Sequence, residues 1–460
     1  MTEFAFPAAA RTFEEQPITY SDLAVPFASA EKSRDQIRIG VEAEKFGILL
    51  PSCTPVPYEG ERSILAILAR LKDQGFAEQR EKPGGPIVAL TRDRASVTLE
   101  PGAQLELSGA PHETLHAASQ EMERHHADLS AISADLGIAW CSVGFHPLAK
   151  QAELPWVPKI RYSIMREYLP TLGNGALDMM RRTATVQANF DYESEADAMR
   201  KLRLMLRLSP LVHAMTTNSP LYEGRLEPSN SLRGDVWTRM DKARSGLLER
   251  LWSDRELDYG DYIEWALDAG MFLFKRHDEV VANTGQSFRD FLRRGFQGNR
   301  ATLSDWKLHL NTLFPEVRLK NTLEARCSDA QPLDTRMSVP ALWTGLIYDA
   351  RALERAEALA ARYSYADVER ARPLLIAEGL RAKLAGHGVT DLAAELLEIA
   401  RGGLVTRARK NAAGQDESVH LKPLADLVLH GETPADRLRR RLYALPSFGP
   451  REIVEATRIA

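Results

Sequence analysis

Residues 37–47 read IRIGVEAEKFG, and the alternation in this stretch decides the architecture. In an extended strand Ile37, Ile39, Val41 and Ala43 fall on one face, and Arg38, Gly40, Glu42 and Glu44 on the other. Side chains two residues apart stand roughly 7 Å from each other, so Glu42 and Glu44 share a surface. Three later segments repeat the division. In 96–100, Val97 and Leu99 oppose Ser96, Thr98 and Glu100. In 103–108, Leu105 and Leu107 oppose Gln104, Glu106 and Ser108. In 183–191, Ala184, Val186, Ala188 and Phe190 oppose Thr183, Thr185, Gln187, Asn189 and Asp191. Each strand has one apolar face and one carrying carboxylates, hydroxyls or amides. This patterning predicts an antiparallel sheet packed on one side only.

Working outward, 112–136 has helical periodicity. Ser194 with Asp197 resembles a capping box ahead of a stripe of Ala198, Met199, Leu202, Met205 and Leu206. Residues 350–412, rich in Ala, Leu, Arg and Glu, read as several helices. The last strong strand ends near 326. The fold class is therefore α+β: a mainly antiparallel sheet, helices packed on one face, and a helical C-terminal part. Residues 1–350 hold the sheet and 351–460 form a helical region packed on the same body. Residues 1–35 read as a leader helix and loop, His125 and His126 as solvent-facing, and Cys141 as a packed residue of a core strand.

Composition narrows the function. Of 460 residues, 59 are basic and 63 acidic, for a formal charge of −4, so no basic excess argues for nucleic acid. No apolar run is long enough to span a bilayer, and the N-terminus lacks the pattern of a secretory signal. These features predict a cytoplasmic protein without membrane contact. The three cysteines, Cys53, Cys141 and Cys327, are far apart and form no metal-binding spacing. GxxxxGK[ST] and GxSxG are absent, so a nucleotide would be held without a P-loop and no serine triad is legible. If Glu100 and Glu106 join Glu42 and Glu44 on one sheet face, four carboxylates converge. Hard oxygen donors without Cys or His suit Mg²⁺ or Mn²⁺, which bridge to nucleotide phosphates.

Longer blocks carry a resemblance. GVEAEKFG, VTLEPGAQLELSGAPHETLH, RYSIMREYLP, LDMMRRTATVQANFDYESEADAMRK, NSPLYEG, SLRGDVWTRMD, TGQSFRDF and FPEVRLKNTLEAR resemble, in order, the plant and proteobacterial type of glutamate–cysteine ligase. The resemblance runs from about residue 36 to about 350 and implies the glutamine synthetase-like carboxylate–amine ligase superfamily. It implies a curved sheet forming a funnel-shaped site, with ATP and Mg²⁺ on its concave face. It implies that ATP phosphorylates the γ-carboxylate of L-glutamate and that the amine of L-cysteine then attacks, giving γ-glutamylcysteine. A γ-glutamyl–amine ligase with another acceptor is the alternative. By similarity Glu42, Glu44, Glu100, Glu106, Gln187 and Glu324 are metal ligands. Gln187, Asn189 and Arg326 face the nucleotide, with Arg326 on phosphate. Arg233 is the first choice for the substrate α-carboxylate, followed by Arg161 and Arg166, because a guanidinium binds a carboxylate in bidentate fashion.

Three departures from the family stand out. Ala43 replaces a His found between the two glutamates of many relatives. Asn283 and Met337 stand where the plant enzymes carry regulatory cysteines, and the segment after RDFLRRGF is shorter. A reductant-tolerant monomer or weak homodimer is expected.

Overall fold

The computed structural model describes residues 15–81, 83–276 and 279–460. Among them, ten strands form one antiparallel sheet. They are β1 (Ile39–Leu49), β2 (Thr54–Pro55), β3 (Ala77–Arg80), β4 (Ile87–Arg92), β5 (Ala95–Leu99), β6 (Leu105–Ser108), β7 (Ile138–Cys141), β8 (Val186–Phe190), β9 (Val317–Leu319) and β10 (Leu323–Ala325). The order across the sheet is β9–β10–β8–β1–β6–β5–β4–β3, with β2 and β7 also on β1. The long β1 is the hub. Its first half pairs with β6 and β8, and its second half with β7 and β2. A strand paired with one neighbour or another at every position is buried almost throughout, which is why IRIGVEAEKFGIL decides the fold.

Helices cover the apolar face of the sheet and also wall the cleft on its polar face. They include α1 (Leu115–Leu136), α2 (Ile160–Tyr168), α3 (Glu195–Met215), α4 (Leu232–Thr238), α5 (Ser338–Ile347) and α6 (Val389–Arg407). The Thr114 hydroxyl accepts the Ala117 N–H to start α1, and Gly137 at φ +58° ends it in the left-handed cap that favours glycine. Ser194 caps α3, and the carboxylate expected to close the capping box reaches the N–H of Glu193 instead of that of Ser194. The stripe from Ala198 to Leu206 is core. Val41, Ala43 and Ala188 are buried beneath α1 and α5, and Val97 and Leu107 belong to the same core. α6 lies against α5 at backbone contact: a Cβ on Gly403 would overlap the Gly345 carbonyl. One hydrophobic cluster runs from Ile18 to Val428, so the C-terminal helices share the core of the sheet. Residues 457–460 pair with β7, Ile459 donating to the Trp140 carbonyl at 2.7 Å. No helix among the described residues is long and apolar enough to cross a membrane.

Three expectations change. The leader helix falls partly on residues 1–14, outside the described residues, and 15–35 holds only single turns and the short helix Val25–Ala28. His125 is 6% exposed rather than solvent-facing, because it takes the i+3 place after Met122 in the apolar stripe of α1. His126, its neighbour, is half-buried. Lys45 belongs to the apolar face of β1 and is buried there; burial first, and the Arg336 charge second, bring its ammonium down to about 7. The three cysteines are free thiols, with Cys141 buried in β7 as expected.

Buried histidines make the fold acid-sensitive. His146 Nδ1 accepts the N–H groups of Leu148 and Ala149, at 3.3 and 2.9 Å, and its ring packs on Phe46. Burial, and then the Arg182 charge, push it down to about 3, below the unfolded 6.5. A group so depressed contributes stability above pH 6.5 that is lost as pH falls toward 3, at about 1.4 kcal/mol per pH unit. His146→Asn retains an acceptor and removes the titration. The stability difference between wild type and variant, from urea unfolding at pH 7, 6, 5 and 4, is expected to shrink by that increment per unit below 6.5. Parallel pH profiles would contradict it.

Candidate active site

The polar face of the sheet is assembled by register. Glu44 stands opposite Glu106, which stands opposite Thr98, making one row. In the next row Ser96, Ser108, Glu42 and Gln187 face one another. In the third, Gly40, Asn189, Glu324 and Arg318 align. Directly opposed residues of an antiparallel pair share a face, so the three rows build one surface. Glycine at position 40 leaves room beside the Asn189 side chain. The surface floors a cleft of about 420 Å³ that Glu42, Glu44, Glu100, Glu106, Gln187, Arg161, Arg233 and Arg326 line.

Two opposite electrostatic zones lie side by side. In the acidic zone, Glu106 accepts the Thr98 hydroxyl at 2.6 Å. Glu44 accepts the Thr185 N–H at 2.9 Å and the Gln187 amide at 3.3 Å. Glu42 accepts the Asn189 amide at 2.8 Å. Burial first, then the charges of Glu106 and Glu324, push the Glu42 carboxyl up to about 8. Burial, then Glu100 and Glu106, push Glu44 well above the usual carboxylate range. Crowded buried carboxyls of this kind hold protons unless a cation neutralises them. In the basic zone, burial pulls the Glu324 carboxyl up, but Arg318, Lys320 and Arg326 together hold it well below its usual range. Arg318 binds Glu324 through both oxygens at 2.8 and 2.9 Å, Lys320 lies 2.6 Å away, and Arg326 completes the ring. Arg326 also donates to Gln187 Oε1 at 2.6 Å, so Gln187 joins the two zones.

The donor set of the acidic zone, all oxygen and unbalanced in charge, fits a hard divalent cation. Among the described residues, no three His, Cys, Asp or Glu side chains form a ready-made cage. Of the residues singled out in the sequence, Glu42, Glu44, Glu106, Gln187, Asn189, Glu324 and Arg326 lie together on the sheet. Glu100 follows β5 at the cleft wall, in a turn that the Gln104 side chain anchors to the Met180 and Thr183 carbonyls. Glu324 departs from a simple metal-ligand geometry, since its oxygens are already taken by three cations. Arg233, at the start of α4, is 4% exposed and donates to the carbonyls of Arg326 and Cys327 at 2.8 and 3.2 Å. Arg161 lines the cleft from α2. Arg166, five residues on, is turned about 140° around the helix. It is exposed and packs over Trp156, outside the cleft lining.

The sequence reading missed Arg318, Lys320 and Lys159. The first two were legible in VRLKNTLEAR, where Arg318, Lys320, Glu324 and Arg326 alternate through a hairpin. Lys159 precedes α2; its ammonium donates to the Leu99 carbonyl at 2.9 Å, and burial and Arg161 bring it down to about 8. No motif announced it.

Comparison with known proteins completes the description. The model of glutamate–cysteine ligase family 2 (GCS2) matches residues 38–456. The chain is 38% identical to a chloroplastic glutamate–cysteine ligase of Medicago truncatula, over 92% of this chain and 82% of that one. It is 37% identical to the chloroplastic enzyme of Arabidopsis thaliana, over 92% and 80%. A solved glutamate–cysteine ligase from Francisella tularensis, in complex with AMP, shares the fold with TM-score 0.54 at 11% identity, covering 93% of this chain and 88% of that one. The expectation of a cytoplasmic protein is corrected: the relatives that match are described as chloroplastic.

Proposed function

This chain belongs to glutamate–cysteine ligase family 2, and from that premise we propose how its cleft works. The enzyme joins the γ-carboxylate of L-glutamate to the amine of L-cysteine at the expense of ATP, giving γ-glutamylcysteine. The observation that carries the mechanism is the acidic zone beside the basic one on a single sheet face. Both steps of such a ligation move negative charge. A γ-carboxylate oxygen attacks the terminal phosphorus of ATP, breaking its bond to the ADP oxygen. The cysteine nitrogen then attacks the acyl carbon, the C–O bond to phosphate breaks, and the amine loses a proton. Catalysis consists of positioning and charge neutralisation, without an enzyme nucleophile.

Arg318, Lys320 and Arg326 hold the transferred phosphoryl group, with Glu324 orienting all three. Glu42, Glu44, Glu100 and Glu106 would hold Mg²⁺ or Mn²⁺, with the Gln187 amide oxygen beside them. Such an ion, when bound, screens the repulsion between carboxylate and triphosphate. Asn189 faces the nucleotide. Arg233 and Arg161 face the glutamate α-carboxylate at the cleft wall. Residues 1–350 carry this chemistry and 351–460 brace it from below. The enzyme works as a monomer or weak homodimer, without nucleic acid or membrane.

Glutamate carrying ¹⁸O in its γ-carboxylate tests the order of events. Label is expected in inorganic phosphate in the presence of cysteine. Label in AMP, or none in phosphate, would overturn the acyl-phosphate route. A parallel comparison of kcat/KM for cysteine, 2-aminobutyrate, serine, lysine and ammonia is expected to rank cysteine first. A pocket distinguishes groups of methylene size by roughly 10- to 200-fold, so 2-aminobutyrate should follow it. Lysine should be rejected more strongly, because its charge would be buried without a partner. A lead for lysine or ammonia would move the reading to another amine acceptor.

A further inference from the structure

Behind the active-site sheet, on the face opposite the acidic zone, lies a second group of basic side chains that the ligation does not use. Lys45 of β1 is 4% exposed and reaches only the Ala43 and Leu105 carbonyls, at 3.2 and 3.4 Å, and His125 Nε2 at 3.5 Å. Arg336, in the segment before α5, is 7% exposed. Its Nε has no hydrogen-bond partner, and no ion pair holds its guanidinium among the described residues. The charges of Lys45 and Arg336 bear on each other and on His125 and His126 of α1. The carboxylate whose charge acts on Arg336 is that of Glu123, while Glu106 and Glu44 act on Lys45. Glu123 is exposed at the rim, and it accepts the Ser119 hydroxyl at 3.0 Å rather than the guanidinium.

A buried guanidinium with unfilled donors, close to a buried ammonium of the same sign, is costly by itself. Other buried arginines have acceptors: Arg318 is bound to Glu324 and Arg244 to Asp241, while Arg181 donates to the Leu154 and Gln151 carbonyls. Arg336 lacks such a partner. The missing element is an acceptor with negative charge and more than one oxygen, since a guanidinium fork and an ammonium converge best on a polyoxygen anion.

We propose that Lys45, His125 and Arg336, with His126 at the rim, form a binding site for a small oxyanion of the phosphate or sulfate class, separate from the catalytic cleft and on the reverse of its sheet. An ion there joins β1, α1 and the segment leading into α5, three elements that pack together at this point.

Thermal unfolding of the intact protein with inorganic phosphate, sulfate or chloride at matched ionic strength tests the site, because an ion that binds only the native state raises Tm. Phosphate and sulfate are expected to raise Tm by several degrees above chloride in the wild type. Arg336→Gln should lose most of that increment while retaining stabilisation by ATP with glutamate. An equal phosphate increment in wild type and Arg336→Gln would place the effect in the catalytic cleft and overturn the proposal, as would no advantage over chloride. If Arg336→Gln fails to fold, a crystal of the unchanged protein grown with selenate decides. An anomalous peak between Lys45 and Arg336 is expected, and its absence overturns the site.

Discussion

Glu44→Gln is expected to lower kcat by about 10²- to 10³-fold, the scale on which one preorganised electrostatic group is worth in a water-poor site. Two features of its position set the size. Its carboxyl stands opposite Glu106 in register, so it sits at the centre of the acidic zone. It also receives the Thr185 N–H and the Gln187 amide, and Gln187 in turn receives Arg326 from the basic zone. The substitution therefore removes negative charge from the place where a cation would be neutralised, and loosens the residue joining the zones. Stability should move the other way or stay level. Burial and like charge already push Glu44 toward the neutral form, so a neutral amide relieves repulsion when no metal is present. ADP release at saturating substrates, with far-UV circular dichroism and Tm on the same preparation, checks both halves. Near-normal turnover in a well-folded variant removes Glu44 from the machinery. A collapse of Tm would make the effect structural.

Asp329→Ala is expected to cost about 3–5 kcal/mol of folding stability, the range for removing one partner from a buried charged network. Against a total of roughly 5–15 kcal/mol, such a loss leaves the protein marginal at 37 °C. Asp329 is fully buried. Its carboxylate accepts the Asn218 N–H at 2.8 Å, the Ser219 hydroxyl at 2.7 Å and the Ser231 hydroxyl at 3.0 Å, with Arg233 3.7 Å away. Alanine takes this acceptor from all three donors and the nearby counter-charge from the Arg233 guanidinium, which keeps only its carbonyl partners. Ser231 also caps α4, so the fault reaches the helix that presents Arg233. Urea unfolding measures the loss. Asp329→Asn keeps the shape and one acceptor oxygen and should fall between wild type and alanine. Equal stabilities for all three would show that the network carries no net energy.

What was legible in the sequence followed periodicity. Glu42, Glu44 and Glu106 could be placed on one face because a strand has period two, and a slip by one residue would have buried the carboxylates and exposed Val41, Ala43 and Leu107. Arg166 and His125 were misplaced where a helical period applied and was not used. Arg166 is five residues from Arg161, and His125 lies in step with Leu115, Ala118, Met122, Leu129 and Ile132. Other features depend on pairing between distant segments. Glu324 could be named as functional, but its capture by Arg318 and Lys320 follows from strand register that local pattern does not supply. Asp329 looked like any loop carboxylate until Asn218, Ser219 and Ser231 closed around it. The buried Lys45 and Arg336, whose charges act on each other, are nearly 300 residues apart in the chain. The order of residues alone does not bring them together.

The position of β1 as the hub has a consequence for biosynthesis. The strand leaves the ribosome early, yet its neighbour β8 begins at Val186, β10 ends at Ala325, and the covering helix α5 ends at Ile347. At roughly 5–20 residues per second, translation from the end of β1 to the end of β10 takes about 15–55 s. Through that interval the nascent chain carries an incomplete sheet: an apolar side without its helix, an open edge, and acidic side chains without their basic counterpart. The sheet cannot close as its strands emerge: the catalytic face is complete only once β10 has been made. Until synthesis has passed residue 347, the emerging half of this chain keeps its apolar side uncovered.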